Sequence, residues 1–230
     1  MSSLNFIGGE KGGVGKSVTA RLLAQYFIDR SKPFIGFDTD RSHSSFTRFY
    51  EGFASPVVVD TFEGMDVVVN GFETNPQQNV IVDLAAQTLA PLARWINESD
   101  LFSVFADMGV KVNFWHVMDD GKDSTDLLGT LVDTFGDKPN YIVVQNYGRG
   151  SDFGMLLGSQ SMAKAALKRA HVIALPRLYE ASMRKIDAHN SSFWKAVNDR
   201  EGPNALGLLE RQRVKSWLAT SYAAFDTLPL

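Results

Sequence analysis

Between Gly8 and Ala20 the chain reads GGEKGGVGKSVTA, a glycine-rich run that closes on Lys16 and Ser17. Glycines let successive backbone N–H groups turn inward around an anion. A lysine closing such a run reaches the outer phosphates of a nucleotide, and a serine after it can ligate Mg²⁺. A helical pattern follows directly, so the positive end of a helix opening near Lys16 adds to the same site. Gly9, Glu10, Lys11, Gly12, Gly13, Val14, Gly15, Lys16, Ser17 and Val18 are therefore expected to cradle a nucleotide together with Mg²⁺. Phosphate binding needs only Lys16. Lys11 is a second cation beside the loop, able to stabilise charge that develops in phosphoryl transfer. Supplied from another copy of the chain, it would couple nucleotide binding to dimerisation. A solvated lysine on the loop rim is the plainer alternative.

Three carboxylates stand where such chemistry needs them. The run FIGFDTD ends in Asp38 and Asp40, which share one side of the chain because Thr39 points to the other. A carboxylate there can orient an attacking water or accept its proton, the part expected of Asp40 with Asp38 in support. In NVIVDLAAQ, Asp83 follows an apolar run at the place where P-loop proteins hold Mg²⁺. Ser17, Asp38 and Asp83 are the candidate metal ligands. The alternative for any one aspartate is a turn or helix cap. No NKxD-like guanine motif is present, which favours ATP over GTP.

These side chains meet only if the intervening elements bring them together. Short β-branched runs at Leu4–Ile7, Phe34–Phe37, Val57–Val59, Val80–Val82, Val110–Trp115, Tyr141–Gln145 and Val172–Leu175 read as strands. Between them, Val18, Leu22, Leu23, Tyr26 and Phe27 share a helical face, as do Leu127, Leu128, Leu131, Val132 and Phe135. GMDVVVNGF keeps Met65, Val68, Val69 and Phe72 at helical spacing and is read as a helix despite its valines. The alternation gives an α/β fold: a mostly parallel central sheet with helices on both faces, and ligands beyond the carboxyl ends of the strands. With 230 residues, 44% of them hydrophobic, and no linker-like stretch, residues 1–230 are read as one domain. The net charge of −3 announces no bulk nucleic-acid or anionic-membrane partner. The lack of cysteine excludes disulfides, thiolate metal sites and iron–sulfur clusters. No signal-like N-terminus and no apolar run near the ~20 residues of a membrane span are present, so a cytoplasmic location is expected.

KGGVGKS resembles the deviant P-loop of the ParA/MinD group of ATPases, and DTD, VIVDLAAQ, IALPRLYEASMRKID and LLERQRVKSWL extend the resemblance over nearly the whole chain toward TraL/MobD-like proteins of conjugative and mobilisable plasmids. The resemblance implies a Rossmann-like P-loop fold, ATP and Mg²⁺ as cofactors, slow hydrolysis, and an ATP-dependent homodimer acting on a protein partner. It implies that Lys11 touches the partner subunit's nucleotide, that Asp40 helps orient the attacking water, and that Asn146 reads adenine beside Pro176 and Arg177. RSHSS after Asp40 and LAAQ after Asp83 depart from partition proteins, which puts DNA segregation in doubt. Two other classes stay open: a synthase of the dethiobiotin or cobyrinic acid amide type, and a DNA-binding accessory indifferent to nucleotide. Arg184, Lys185, Lys164, Lys168 and Arg169 could form a local DNA patch, with solvated helix surface as the favoured alternative. The final helix, with apolar Leu209, Val214, Trp217, Leu218 and Phe225, is read as packing on the sheet rather than touching membrane.

Overall fold

A computed structural model describes residues 2–230. Seven strands form one sheet: β1 (Ser3–Gly8), β2 (Phe34–Asp38), β3 (Ala54–Pro56), β4 (Asn79–Asp83), β5 (Lys111–Met118), β6 (Asn140–Asn146) and β7 (His171–Leu175). Their order is β3-β2-β4-β1-β5-β6-β7, and every pairing is parallel. Parallel neighbours need crossovers, and helices supply them on both faces. On one face lie α1 (Lys16–Asp29), α2 (Ser45–Phe49), α9 (Glu180–Ala188), α10 (Phe193–Asn198) and α11 (Leu208–Phe225). On the other lie α3 (Phe62–Thr74), α4 (Leu89–Glu98), α5 (Leu101–Asp107), α6 (Lys122–Phe135), α7 (Gly154–Leu157) and α8 (Gln160–Leu167).

Each face has its own core, and β1 feeds both by alternation. Leu4 and Phe6 enter the core under α3–α6, whereas Ile7 enters the one under α1 and α11. Because β1 is central, both of its neighbours direct their carboxyl ends to the loop that follows Gly8. Asp83 ends β4 in register with Ile7, and His116 on β5 pairs with Gly8. The sheet reverses its winding direction across β1, which opens a crevice at that end.

The helix read from Met65, Val68 and Phe72 forms as α3, with those three side chains buried. The third strand is a correction: pairing with β2 runs Gly36↔Ala54, Phe37↔Ser55 and Asp38↔Pro56, three residues before Val57–Val59. Val57 and Val59 are buried in the core, so their alternation marks packing of a connecting segment rather than a ladder. Among the described residues no helix is long and apolar enough to cross a membrane.

Candidate functional site

The loop from Gly9 to Gly15 joins β1 to α1 and stands over the crevice. Gly15 has φ +101°, and a Cβ there would meet Asn146 Nδ2 at 2.2 Å, so only glycine fits. Gly9 is equally constrained, with φ +138° and Val117 O 2.4 Å from the place of a Cβ. The buried Lys16 ammonium donates to the carbonyls of Gly9 (2.8 Å) and Lys11 (3.0 Å), which spans the loop from within. Burial lowers its pKa, while Asp83, Glu10 and Asp40 act in the opposite sense.

Glu10 behaves differently from the rest of the loop. Counting back from Gly15 and Lys16, it stands where the G-x-x-x-x-G-K-[ST] spacing puts its first glycine, and Gly9 lies one residue earlier. Its side chain reaches the start of α4, where Oε1 accepts from the backbone of Thr88 (3.1 Å) and Leu89 (2.9 Å). Its carboxylate therefore caps a helix.

The three aspartates converge as their positions at strand ends require. Asp83 is buried, and among the described residues neither of its carboxylate oxygens has a hydrogen-bond partner. Burial raises its pKa to about 8, Asp38 adds to the rise, and Ser17 and Lys16 counter it. Ser17 faces this carboxylate without a hydrogen bond of normal geometry. An orphaned buried carboxylate beside a serine hydroxyl and an ammonium is a fit for a divalent cation. Asp38 is placed otherwise: Oδ1 accepts from Asp40 N (3.0 Å), and Oδ2 from Phe46 N (2.9 Å) and Thr47 N (3.1 Å). Both oxygens are committed to shaping the segment into α2, so its expected place among the metal ligands is not supported by this geometry. Burial raises its pKa, with those backbone donors opposing. Asp40 is half-exposed, and Oδ1 accepts from Ser42 N and His43 N while Oδ2 meets His43 Nδ1 at 3.2 Å. Partial burial works against ionisation, but these bonds pull its pKa below the ordinary value. Thr39 Oγ1 donates to Asp83 O and accepts from Ala85 N, joining the two acidic segments.

A cleft of about 500 Å³ runs over this region, bordered by Gly12, Gly13, Gly15, Lys16, Ser17 and Asp40. A second cleft of about 410 Å³ adjoins it, bordered by Asn146, Pro176, Arg177, Leu178 and Met183. Asn146 is turned inward: Nδ2 donates to Val14 O (2.8 Å) and Oδ1 accepts from Gly148 N (2.9 Å). That use of the amide holds the loop against β6 and leaves one N–H and one lone pair of the amide uncommitted. Pro176 is fixed from behind, its carbonyl accepting from Trp217 Nε1 at 2.7 Å. Arg177 is exposed and 3.7 Å from Glu180.

Several contacts escaped the sequence. Lys11 Nζ donates to Asp119 Oδ2 at 2.7 Å, and Oδ1 of that aspartate accepts from Ser124 Oγ (2.6 Å) and Gly121 N (3.2 Å). The Asp119 bond raises the Lys11 pKa. Burial opposes ionisation of Asp119, while Lys11 and Ser124 hold its pKa low. Arg21 lies buried on α1 and pairs with Asp187 on α9; its position one turn beyond Ser17 and Val18 was the available signal. The candidate DNA patch is largely paired: Lys164 with Asp133, Lys168 with Asp137, Lys185 with Glu210. Val214, Trp217, Leu218 and Phe225 of α11 are buried as expected, but Leu209 is 66% exposed and does not belong to that face.

No protein-family model matches the chain. Its sequence is similar to Protein TraL of Escherichia coli, 23% identical with 94% of this chain and 93% of the relative covered. It is also similar to Protein MobD of Acidithiobacillus ferrooxidans, at 24% identity over 86% and 87%. Among solved structures, the MinC:MinD cell division complex of Aquifex aeolicus matches with TM-score 0.57 and 14% identity, covering 99% of this chain and 98% of that one. A Borrelia burgdorferi protein described as a plasmid partition protein, bound to AMPPNP, matches with TM-score 0.51 and 14% identity over 96% and 100%. Fold and loop give the chain the α/β architecture of P-loop proteins, in the arrangement of the MinD and partition-protein structures. Its sequence relatives are TraL and MobD, the proteins toward which the late motifs pointed.

Proposed function

We propose that this chain, acting as one domain, is an ATP-dependent switch that closes as a homodimer around ATP, hydrolyses it slowly, and positions or regulates a protein partner in plasmid mobilisation, conjugation or partition. The observation that carries the reading is the loop itself: two lysines on one glycine turn, above an aspartate whose buried oxygens have no partner among the described residues. Ser17 and Asp83 would hold Mg²⁺, which when bound neutralises phosphate charge. Lys16 exchanges its loop carbonyls for phosphate oxygens, and the loop amides line the same anion. Asp40 orients the attacking water, and Asp38 fixes the segment that carries it. Lys11 leaves Asp119 and reaches the nucleotide of the second copy. TraL and MobD support the plasmid setting, and the MinC:MinD complex is a precedent, in a protein of like fold, for a protein partner.

The test is solution mass with Mg²⁺ and either ATP or ADP, on the wild type, Asp40→Ala to slow hydrolysis, and Lys11→Ala. The expected result is a dimer with ATP only, abolished by Lys11→Ala. A mass indifferent to nucleotide overturns the switch and moves the synthase reading to the front.

A further inference from the structure

We propose that Asp187, oriented by Arg21, binds the ribose of the nucleotide by accepting hydrogen bonds from its hydroxyls. The inference rests on the reading of the loop as an ATP site and adds a contact to it. The cleft over the loop and the cleft beside Asn146 and Pro176 share three residues: Val18, Arg149 and Asp187. A nucleotide with its phosphates on the loop and its base in the second cleft must pass its sugar across those three. Val18 offers only apolar surface and Arg149 only donors, so Asp187 is the acceptor at the junction. A carboxylate there suits a vicinal diol, as an acidic residue does for the ribose of dinucleotides.

Arg21 supplies the second observation. It is 3% exposed, with its guanidinium 3.4 Å from the Phe49 ring centroid, and Nη1 donates to Asp187 Oδ1 at 2.9 Å. Its Nε and Nη2 have no hydrogen-bond partner among the described residues. A cation buried this deeply on the loop's own helix, with donors unsatisfied, is a costly way to tie α1 to α9. Its geometric consequence is that one Asp187 oxygen is pinned. The side chain stays 47% exposed, and no described residue donates to Oδ2. The carboxylate is thus held toward the crevice with one oxygen free.

The experiment is calorimetric titration of the wild-type protein, in Mg²⁺, with ATP, 2′-deoxy-ATP and 3′-deoxy-ATP. At least one deoxy analogue is expected to bind about tenfold more weakly than ATP, the usual effect of one charge-assisted hydrogen bond. Asp187→Ala, with thermal unfolding recorded to show that it folds, is expected to bind all three alike. Equal affinities in the wild type overturn the ribose role without any variant, as does discrimination that persists in Asp187→Ala. A merely structural ion pair would alter stability and leave the ratio of ATP to deoxy-ATP unchanged. Failure of ATP itself to bind would bring down the loop reading too, whereas ATP bound without sugar discrimination sinks only the present inference.

Discussion

At the scale of single residues, the crevice is defined by charges held short of their preferred partners. His116 lies behind the loop, buried, with Nε2 against Ser124 O at 2.8 Å. Burial brings its pKa down to about 4, the Lys16 charge adding to the fall and the Ser124 carbonyl opposing it. An unfolded histidine titrates near 6.5, so between these values only the unfolded chain holds the extra proton. His116 therefore costs no stability above pH ~6.5 and up to about 3 kcal/mol as pH falls toward 4. His116→Gln, which keeps a donor and does not titrate, should flatten the midpoint-against-pH curve over that window; parallel curves for the two proteins would refute the assignment. Lys11 makes the complementary case, because Asp119 competes for it with any phosphate. Asp119→Asn keeps the side chain's shape while removing its charge. In an Asp40→Ala background it should lower the ATP concentration for half-maximal dimerisation about two- to fivefold, the modest scale of an exposed pair. Light scattering during an ATP titration measures this, and an unchanged or higher midpoint would show that the pair restrains nothing.

At the scale of elements, the loop is anchored at three places, and the sequence exposed them unequally. Glycines and lysines announced the turn, and runs of valine and isoleucine announced six strands within a few residues, because strands buried on both faces read as continuous apolar stretches. The tethers were illegible, since Glu10 and Asn146 act through backbone atoms of remote segments and Asp119 through a lysine more than a hundred residues away, which no local pattern reveals. The short edge strand β3 was displaced for a related reason: Val57 and Val59 record burial, while pairing is decided by backbone atoms at Ala54–Pro56. A buried polar ladder near the opposite ends of the strands was hidden as well, with Asn5 Oδ1 accepting from Asn113 Nδ2 and Trp115 Nε1. Glu10 gives a direct check. Its carboxylate satisfies two N–H groups at the start of α4, so Glu10→Ala should cost about 1 kcal/mol in urea unfolding, as loss of a cap does. A change within a few tenths would mean that water replaces the carboxylate without penalty.

At the scale of the whole molecule, α11 closes the core on the face that carries the loop helix. Phe225 packs edge-on against Tyr26 of α1 and Trp115 of β5, and Trp217 packs against Phe193 of α10. Trp217 also fixes Pro176, so the helix supports one wall of the cleft beside Asn146 while filling the core beneath it. A helix that detaches to touch a membrane and a helix that completes the core predict opposite outcomes for its removal. Val214, Trp217, Leu218 and Phe225 are all buried, and truncations of such residues cost about 2–5 kcal/mol each, against roughly 5–15 kcal/mol of total stability. A chain ending at Gly207 should therefore lose cooperative unfolding altogether, and Trp217→Ala alone should cost about 3–5 kcal/mol. Circular dichroism during thermal unfolding separates the cases: a truncated chain that still melts cooperatively near the full-length midpoint would mean that α11 is an appendage. The packing of its aromatic rings against α1 and β5 argues instead that the fold and the crevice over the loop stand or fall together with this last helix.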